Sequence, residues 1–128
     1  RSEAGFDYPW GNQRAIWKRY RTPDEIGPVL SFRTDMSVYG VFDLAGNARE
    51  WCLDFYSDEG HSEAAKTAGS STLREWQGVR RPSTDGYRVV KGNGPDWKAW
   101  HRWGADERER IAGGGFRCVL RVKLPGGQ

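Results

Sequence analysis

The segment from residue 40 to residue 52 constrains this chain most, because it crowds oxygen-bearing side chains beside a turn and an aromatic strand. It reads GVFDLAGNAREWC, in which Asp43, Asn47 and Glu50 carry side-chain oxygens and Gly46 permits a turn that exposes backbone carbonyls. Calcium takes roughly 6–8 oxygen ligands and accepts carbonyls among them, so the segment is a candidate calcium loop, although its spacing is not that of an EF-hand. The alternative is an Asx-turn in which Glu50 pairs with a neighbouring arginine.

Four short motifs in the chain carry a resemblance to a known family. Residues 40–51 resemble the signature of the formylglycine-generating enzyme (sulfatase-modifying factor) family, which reads G-L-x-D-M-x-G-N-x-W-E-W. Residues 8–12 (YPWGN) are similar to the family's Y-P-W-G-N, and residues 115–119 (GFRCV) are similar to its closing G-F-R-x-V. Residues 87–92 (YRVVKG) lie where the family has R-V-x-R-G-G-S-W. The resemblance implies an α+β, C-type-lectin-like fold with short twisted sheets, long loops and little helix.

The resemblance also implies that residues 1–128 are the C-terminal portion of one such domain, cut from a larger chain. The family's opening strands and a helix with a T-E-A-E-W-E-like pattern are absent, and Arg1 stands about where that helix ends. Such domains occur as appended modules of larger bacterial proteins, including serine/threonine protein kinases. Loss of the N-terminal portion would leave apolar surface uncovered, so we expect this chain to self-associate or to swap segments.

Composition limits both the core and the choice of partners. The chain of 128 residues is 37% hydrophobic and 29% charged, so its seven tryptophans must supply much of the buried surface. The net charge of +3 arises from basic and acidic residues interleaved along the chain, which argues against a nucleic-acid partner. No apolar run approaches the length that a membrane span needs.

Hydrophobic patterning predicts a few short strands. Residues 51–56 alternate apolar and polar side chains, so the face that carries Leu53 is predicted to be buried. Residues 87–91 form the next predicted strand, and three glycines lead into a last one at residues 116–122. Residues 29–33 are compatible with a further short strand.

The two cysteines, Cys52 and Cys118, both fall in predicted core strands. Either they are free and buried, where they behave as small hydrophobes, or they form one disulfide, which would imply an oxidising compartment. In the family's calcium-containing enzymes, a cysteine in the closing G-F-R-C strand pairs with one in the helix that is absent here.

Residues 91–115 indicate whether the chain can carry the oxidase activity of the family that it resembles. The family's oxidases carry two cysteines there as thiolate ligands of copper, and this chain has none, so we expect no copper and no oxidase activity. The related iron-dependent sulfoxide synthases need three histidines, whereas the chain has only His61 and His101. The rival interpretation is a diverged oxidase or another metal-dependent enzyme domain, completed by a missing N-terminal half.

The same window holds a cluster of aromatic and cationic side chains, which predicts a binding surface. If exposed, flat aromatic faces mixed with cationic donors suit a sugar, a peptide or an anionic group, and if buried the tryptophans are core. The candidate ligand-binding residues are Trp97, Lys98, Trp100, His101, Arg102 and Trp103.

The resemblance places the family's calcium ligands on the side chains of Asp43 and Glu50 and on the backbone carbonyls of Gly46 and Ala48. Arg49 replaces a tryptophan of the signature, but neighbouring strand residues face opposite ways, so its charge need not meet the ion. We therefore expect a structural calcium ion, and a chain that acts as a non-catalytic ligand-binding or sensory module.

Overall fold

The structure is a computed structural model that describes residues 5–13, 25–59, 66, 78–79 and 86–120. Its regular structure is one sheet of four strands, β1 (Arg49–Phe55), β2 (Tyr87–Lys91), β3 (Trp103–Asp106) and β4 (Gly114–Gly115). The strands lie in the order β3-β2-β1-β4. Turns and irregular segments connect β2 to β3 and β3 to β4. The prediction of short strands, long loops and little helix is confirmed. No helix in the described ranges is long and apolar enough to cross a membrane.

The centre of the fold is β2, which pairs antiparallel with β1 on one side and with β3 on the other. Val89 and Val90 on this strand are only 2% and 0% exposed. Successive strand residues face opposite sides of a sheet, so both faces of β2 are covered. The β-branched side chains of the strand suit such a position, because they pack well on a pleated surface.

The closing part of the described chain joins the sheet through β4, which runs parallel to β1. Arg49 pairs with Gly114 and Glu50 with Gly115, and the Arg49 N–H donates to the carbonyl of Gly113 at 2.8 Å. Gly113 has a φ of +67°, a left-handed conformation that favours glycine. The three glycines thus bring the closing segment directly against the segment of residues 40–52.

The strand predictions are confirmed for β1 and β2 and wrong in three places. Leu53 is 77% exposed, because the pairing register shifts between Trp51 and Phe55, and such an irregularity turns side chains away from a regular face. Of the predicted strand 116–122, residues 116–120 are irregular, since β4 ends before them, and residues 121 and 122 lie outside the described residues. Residues 29–33 are turns and irregular backbone.

A buried carboxylate fixes the turn that precedes β1. Asp35 is 0% exposed, and its side-chain oxygens accept the N–H groups of Ala45, at 3.1 and 3.2 Å, and of Gly46, at 3.0 Å. The backbone carbonyl of Asp35 accepts the Asp43 N–H at 2.9 Å. A buried charge is costly unless it is hydrogen-bonded, and these N–H groups have no strand partner. The carboxylate and the turn therefore stabilise each other.

Replacing Asp35 by alanine should lower the free energy of unfolding by about 3 kcal/mol, because it leaves buried N–H groups without an acceptor. Urea denaturation would measure the loss. The matched control is Glu109→Ala, which removes an exposed carboxylate and should change stability by less than about 0.5 kcal/mol. Equal losses in the two variants would contradict this role for Asp35.

Candidate functional site

One guanidinium links the 40–52 segment to the closing segment. Arg117 donates to both carboxylate oxygens of Glu50, with the shortest distance, 2.6 Å, between Nη2 and Oε1. It also donates to the carbonyls of Phe42 at 3.0 Å and Asp43 at 3.3 Å. The hydrogen bonds to Glu50 raise the pKa of Arg117, so the guanidinium stays charged. The contact is the ion pair that the sequence left open as an alternative to calcium.

The polar side chains of the signature also hold the preceding loop. The Asn47 side-chain oxygen accepts the Gly27 N–H at 2.8 Å, and Asp43 Oδ2 accepts the Leu30 N–H at 2.9 Å. Asp43 and Asn47 have φ values of +56° and +75°. Aspartate and asparagine tolerate this left-handed conformation better than other non-glycine residues. These hydrogen bonds reach residues 27 and 30, so they join the segment to the preceding loop and are not the local bonds of an Asx-turn.

The four predicted calcium ligands lie together in this segment, but several of their oxygens have protein partners. The Gly46 carbonyl accepts the Ala48 N–H at 3.1 Å, and both oxygens of Glu50 face Arg117. Calcium binding through Glu50 would require displacement of that guanidinium. Within the described ranges, no three histidine, cysteine or acidic side chains gather into a metal cluster; the predicted set has two such side chains, on Asp43 and Glu50. Calcium stays a prediction.

The predicted ligand-binding segment, residues 97–103, forms tight turns that lead into β3. The Trp97 N–H donates to the Gly94 carbonyl at 3.2 Å, and Trp97 has a φ of +61°. A left-handed conformation is uncommon for such a bulky residue and marks a constrained turn. Trp97 and Trp103 are half-buried, whereas Trp100 is 42% exposed. The segment therefore contributes both to the core and to the surface.

Two basic side chains in this segment lie beside carboxylates and beside the exposed indole. Lys98 Nζ is 3.8 Å from Asp7 Oδ2 and 5.1 Å from the centroid of the Trp100 ring. His101 Nδ1 is 2.7 Å from Asp96 Oδ1, and its ring meets Trp100 edge-on with centroids 4.5 Å apart. These contacts hold the indole between two basic side chains that each face a carboxylate.

Arg102 contacts the residues that follow β1. Its Nη2 donates to the Ser57 carbonyl at 2.7 Å, and its guanidinium lies 5.2 Å from the centroid of the Tyr56 ring. Trp103 is the first residue of β3 and pairs with Val90. The structure brings together Lys98, Trp100 and His101, whereas Arg102 contacts Tyr56 and Ser57, and Trp97 and Trp103 are half-buried.

A cleft of about 380 Å³ borders the same segment at Ala99. Its walls are aromatic and aliphatic side chains from residues 6–9 and 38–44, and Glu50, Cys52 and Lys91 add polar groups. Sequence reasoning missed this cleft because its walls come from four separate parts of the chain. The YPWGN motif, which supplies Tyr8 and Pro9, was the one local signal of it.

The two cysteines are free and differ in environment. Cys52 is half-buried and Cys118 is exposed. The prediction that both are buried is wrong for Cys118, because the sheet ends at Gly115 and the following residues leave it. Burial, with a smaller contribution from Asp54, raises the pKa of Cys52 to about 11. Cys52 is therefore a thiol at neutral pH and a poor nucleophile.

Comparison with known proteins agrees with this description. Residues 1–122 match the family described as "Sulfatase-modifying factor enzyme 1-like domain". The chain is 31% identical over 124 residues to the serine/threonine-protein kinase Pkn1 of Chlamydia trachomatis serovar L2, a match that covers 93% of the chain and 19% of the kinase. It is 30% identical over 121 residues to the corresponding kinase of Chlamydia caviae, covering 91% of the chain and 18% of the kinase.

A formylglycine-generating enzyme is also among the relatives. That of Thermomonospora curvata is 31% identical over 101 residues, which cover 66% of the chain and 30% of the enzyme. No solved structure matches the chain. The chain thus spans less than a third of the length of these relatives. Since the family match extends over nearly all of its residues, the chain belongs to the sulfatase-modifying factor (formylglycine-generating enzyme) family.

Proposed function

We propose that this chain is a non-catalytic ligand-binding or sensory module, appended to a larger bacterial protein such as a serine/threonine protein kinase. The similar region makes up 19% and 18% of the two Chlamydia kinases, which supports a module within a longer chain. The absence of cysteine from residues 91–115 supports a role other than that of the family's oxidases.

The observation that carries the proposal is the exposed indole of Trp100 between Lys98 and His101. A tryptophan that is 42% exposed is an available contact for a ligand, and tryptophan is prominent among residues that dominate binding energy. The neighbouring contacts of Lys98 and His101 restrain the indole before any ligand arrives. Binding to a surface that is already ordered loses less conformational entropy.

The charges around the indole favour a neutral ligand. Lys98 lies beside Asp7 and His101 beside Asp96, so an anion would have to compete with carboxylates already present. A sugar offers hydroxyl groups to these polar side chains and an apolar face to the indole. Of the ligand classes that the sequence suggested, a carbohydrate therefore suits this surface better than a peptide rich in acids or a free anion.

Replacing Trp100 by alanine should weaken carbohydrate binding at least tenfold, which corresponds to about 1.4 kcal/mol. Titration calorimetry with chitotriose and cellotriose would measure it. Tyr87→Ala is the control, because Tyr87 is an exposed aromatic residue on β2, outside the proposed surface, and its removal should leave affinity unchanged. Equal affinity in the Trp100 variant, or binding of an acidic peptide in place of either sugar, would contradict the proposal.

A structural calcium ion bound by Asp43, Gly46, Ala48 and Glu50 is a second part of the proposal. Its support is the chemistry of the donors, since two carboxylates and two carbonyls in one short turn are hard oxygen ligands. Arg117 competes with calcium for Glu50, so the two cations are alternatives at that carboxylate.

Calcium should raise the melting temperature of the wild-type chain relative to the same protein in chelator, and Asp43→Ala and Glu50→Ala should each abolish the increase. Arg117→Met should enlarge it, because the competing guanidinium is gone. Thermal denaturation, together with bound calcium measured after gel filtration, checks each variant. Calcium binding would be contradicted if the wild type and the Arg117 variant both kept an unchanged melting temperature and bound no calcium. The segment would then be a packing motif.

Self-association is a third part of the proposal. Phe116, Val119 and Leu120 are exposed apolar residues that follow β4 at the edge of the sheet, and Val29 is exposed beside them in the lining of one groove. A group of exposed apolar side chains beside the edge of a sheet is a candidate surface for contact with another chain. A second copy of this chain presents the same apolar residues and fits that role.

The wild-type chain should therefore show an average mass in sedimentation equilibrium that increases with concentration. Phe116→Ser should shift the equilibrium toward monomer at least tenfold, because it removes a large apolar side chain from the contact. Leu53→Ser, which alters an exposed apolar residue on β1, is the control and should behave as wild type. A monomeric wild type at high concentration would contradict this part of the proposal.

A further inference from the structure

A partly buried cation, Lys91, lines the cleft of about 380 Å³. Lys91, the last residue of β2, donates from Nζ to the Ala99 carbonyl at 2.7 Å. Among the described residues, no carboxylate comes within ion-pair distance of that nitrogen. Burial lowers the pKa of Lys91, because the ammonium loses part of its hydration. The fold therefore bears a desolvation cost that an anion in the cleft would reduce.

The other acidic groups of the cleft are either paired or uncharged. Glu50 also lines it, but the guanidinium of Arg117 balances that carboxylate at 2.6 Å. Cys52 lies on β1 beside the cleft, and with a pKa of about 11 it is uncharged at neutral pH. Of the described side chains that line the cleft, Lys91 is the charged one that lacks an oppositely charged partner.

The walls of the cleft indicate the chemical character of a ligand that would fit it. Phe6, Tyr8, Val38, Tyr39 and Leu44 line it, and their rings and aliphatic groups make most of its surface apolar. The volume lies within the range of small-molecule sites, roughly 300–1,000 Å³. Apolar walls also lower the local dielectric constant, so an ion pair formed inside is stronger than one on the open surface.

We propose that this cleft binds a small carboxylic acid with an aromatic or branched aliphatic body, whose carboxylate pairs with Lys91. An ammonium has three donors, of which Ala99 takes one, so two remain for the two oxygens of a carboxylate. The apolar body of the acid occupies the space between the tyrosine and aliphatic walls. The inference goes beyond the carbohydrate surface at Trp100, since it concerns a different ligand and different side chains.

Titration calorimetry with 3-phenylpropanoate and 4-methylpentanoate tests the proposal on the full chain. We expect saturable binding of both acids, and at least tenfold weaker binding of 3-phenylpropanamide, which keeps the shape and lacks the charge. Propanoate, which keeps the charge and lacks the apolar body, should also bind at least tenfold more weakly.

Lys91→Met should reduce affinity for 3-phenylpropanoate at least tenfold, whereas Lys91→Arg should retain part of it. Lys66→Met, which removes an exposed lysine, is the matched control and should bind as wild type. Thermal denaturation verifies that each variant is folded, and Lys91→Arg keeps the test decisive if the methionine variant unfolds. The sugars and the acids are titrated separately into the wild-type chain, so failure of the carbohydrate surface and failure of this cleft are distinguishable.

No saturable binding of either acid by wild type would overturn the proposal. Equal binding of the amide and the acid, or equal affinity of folded Lys91→Met and wild type, would overturn it as well.

Discussion

The rest of the structure depends on the turn before β1, and the buried carboxylate of Asp35 holds that turn by its hydrogen bonds. Asp35 is excluded from water, and the N–H groups of Ala45 and Gly46 replace its hydration. That exchange fixes the direction in which the chain enters β1. From there Glu50 reaches Arg117, β4 can pair with β1, and Cys52 comes to border the cleft. The burial of the Asp35 carboxylate thus determines the positions of both the Glu50–Arg117 ion pair and the cleft that Lys91 lines.

Local patterning predicted the two central strands of the sheet, β1 and β2, each of which has a strand on both sides. The alternation of residues 51–56 and the β-branched residues of 87–91 correspond to β1 and β2. Four residues, WGAD, form β3, which is too short and too mixed to show a period, and β4 consists of two glycines. These two strands exist because their partners align them, and a sequence pattern does not contain that information.

The motifs located the right segments more reliably than they assigned roles to residues. The aromatic window holds the exposed Trp100, but Arg102 and Trp103 serve packing, since their contacts come from Ser57, Tyr56 and Val90. Asp35 gave no signal at all, because its acceptor role depends on N–H groups ten residues away in the chain. Interactions between distant residues decide such roles, and periodicity reports only on near ones.

The ion pair between Glu50 and Arg117 joins residues 67 positions apart. Closing a loop of that length opposes folding by about 4 kcal/mol of chain entropy, and contacts of long range generally slow the formation of a domain. During synthesis, β1 and the turn held by Asp35 emerge long before the arginine that completes them. Until Arg117 is synthesised, the nascent chain has an uncompensated carboxylate on Glu50 and an unpaired edge on β1. In that state chaperones and proteases would have access to it.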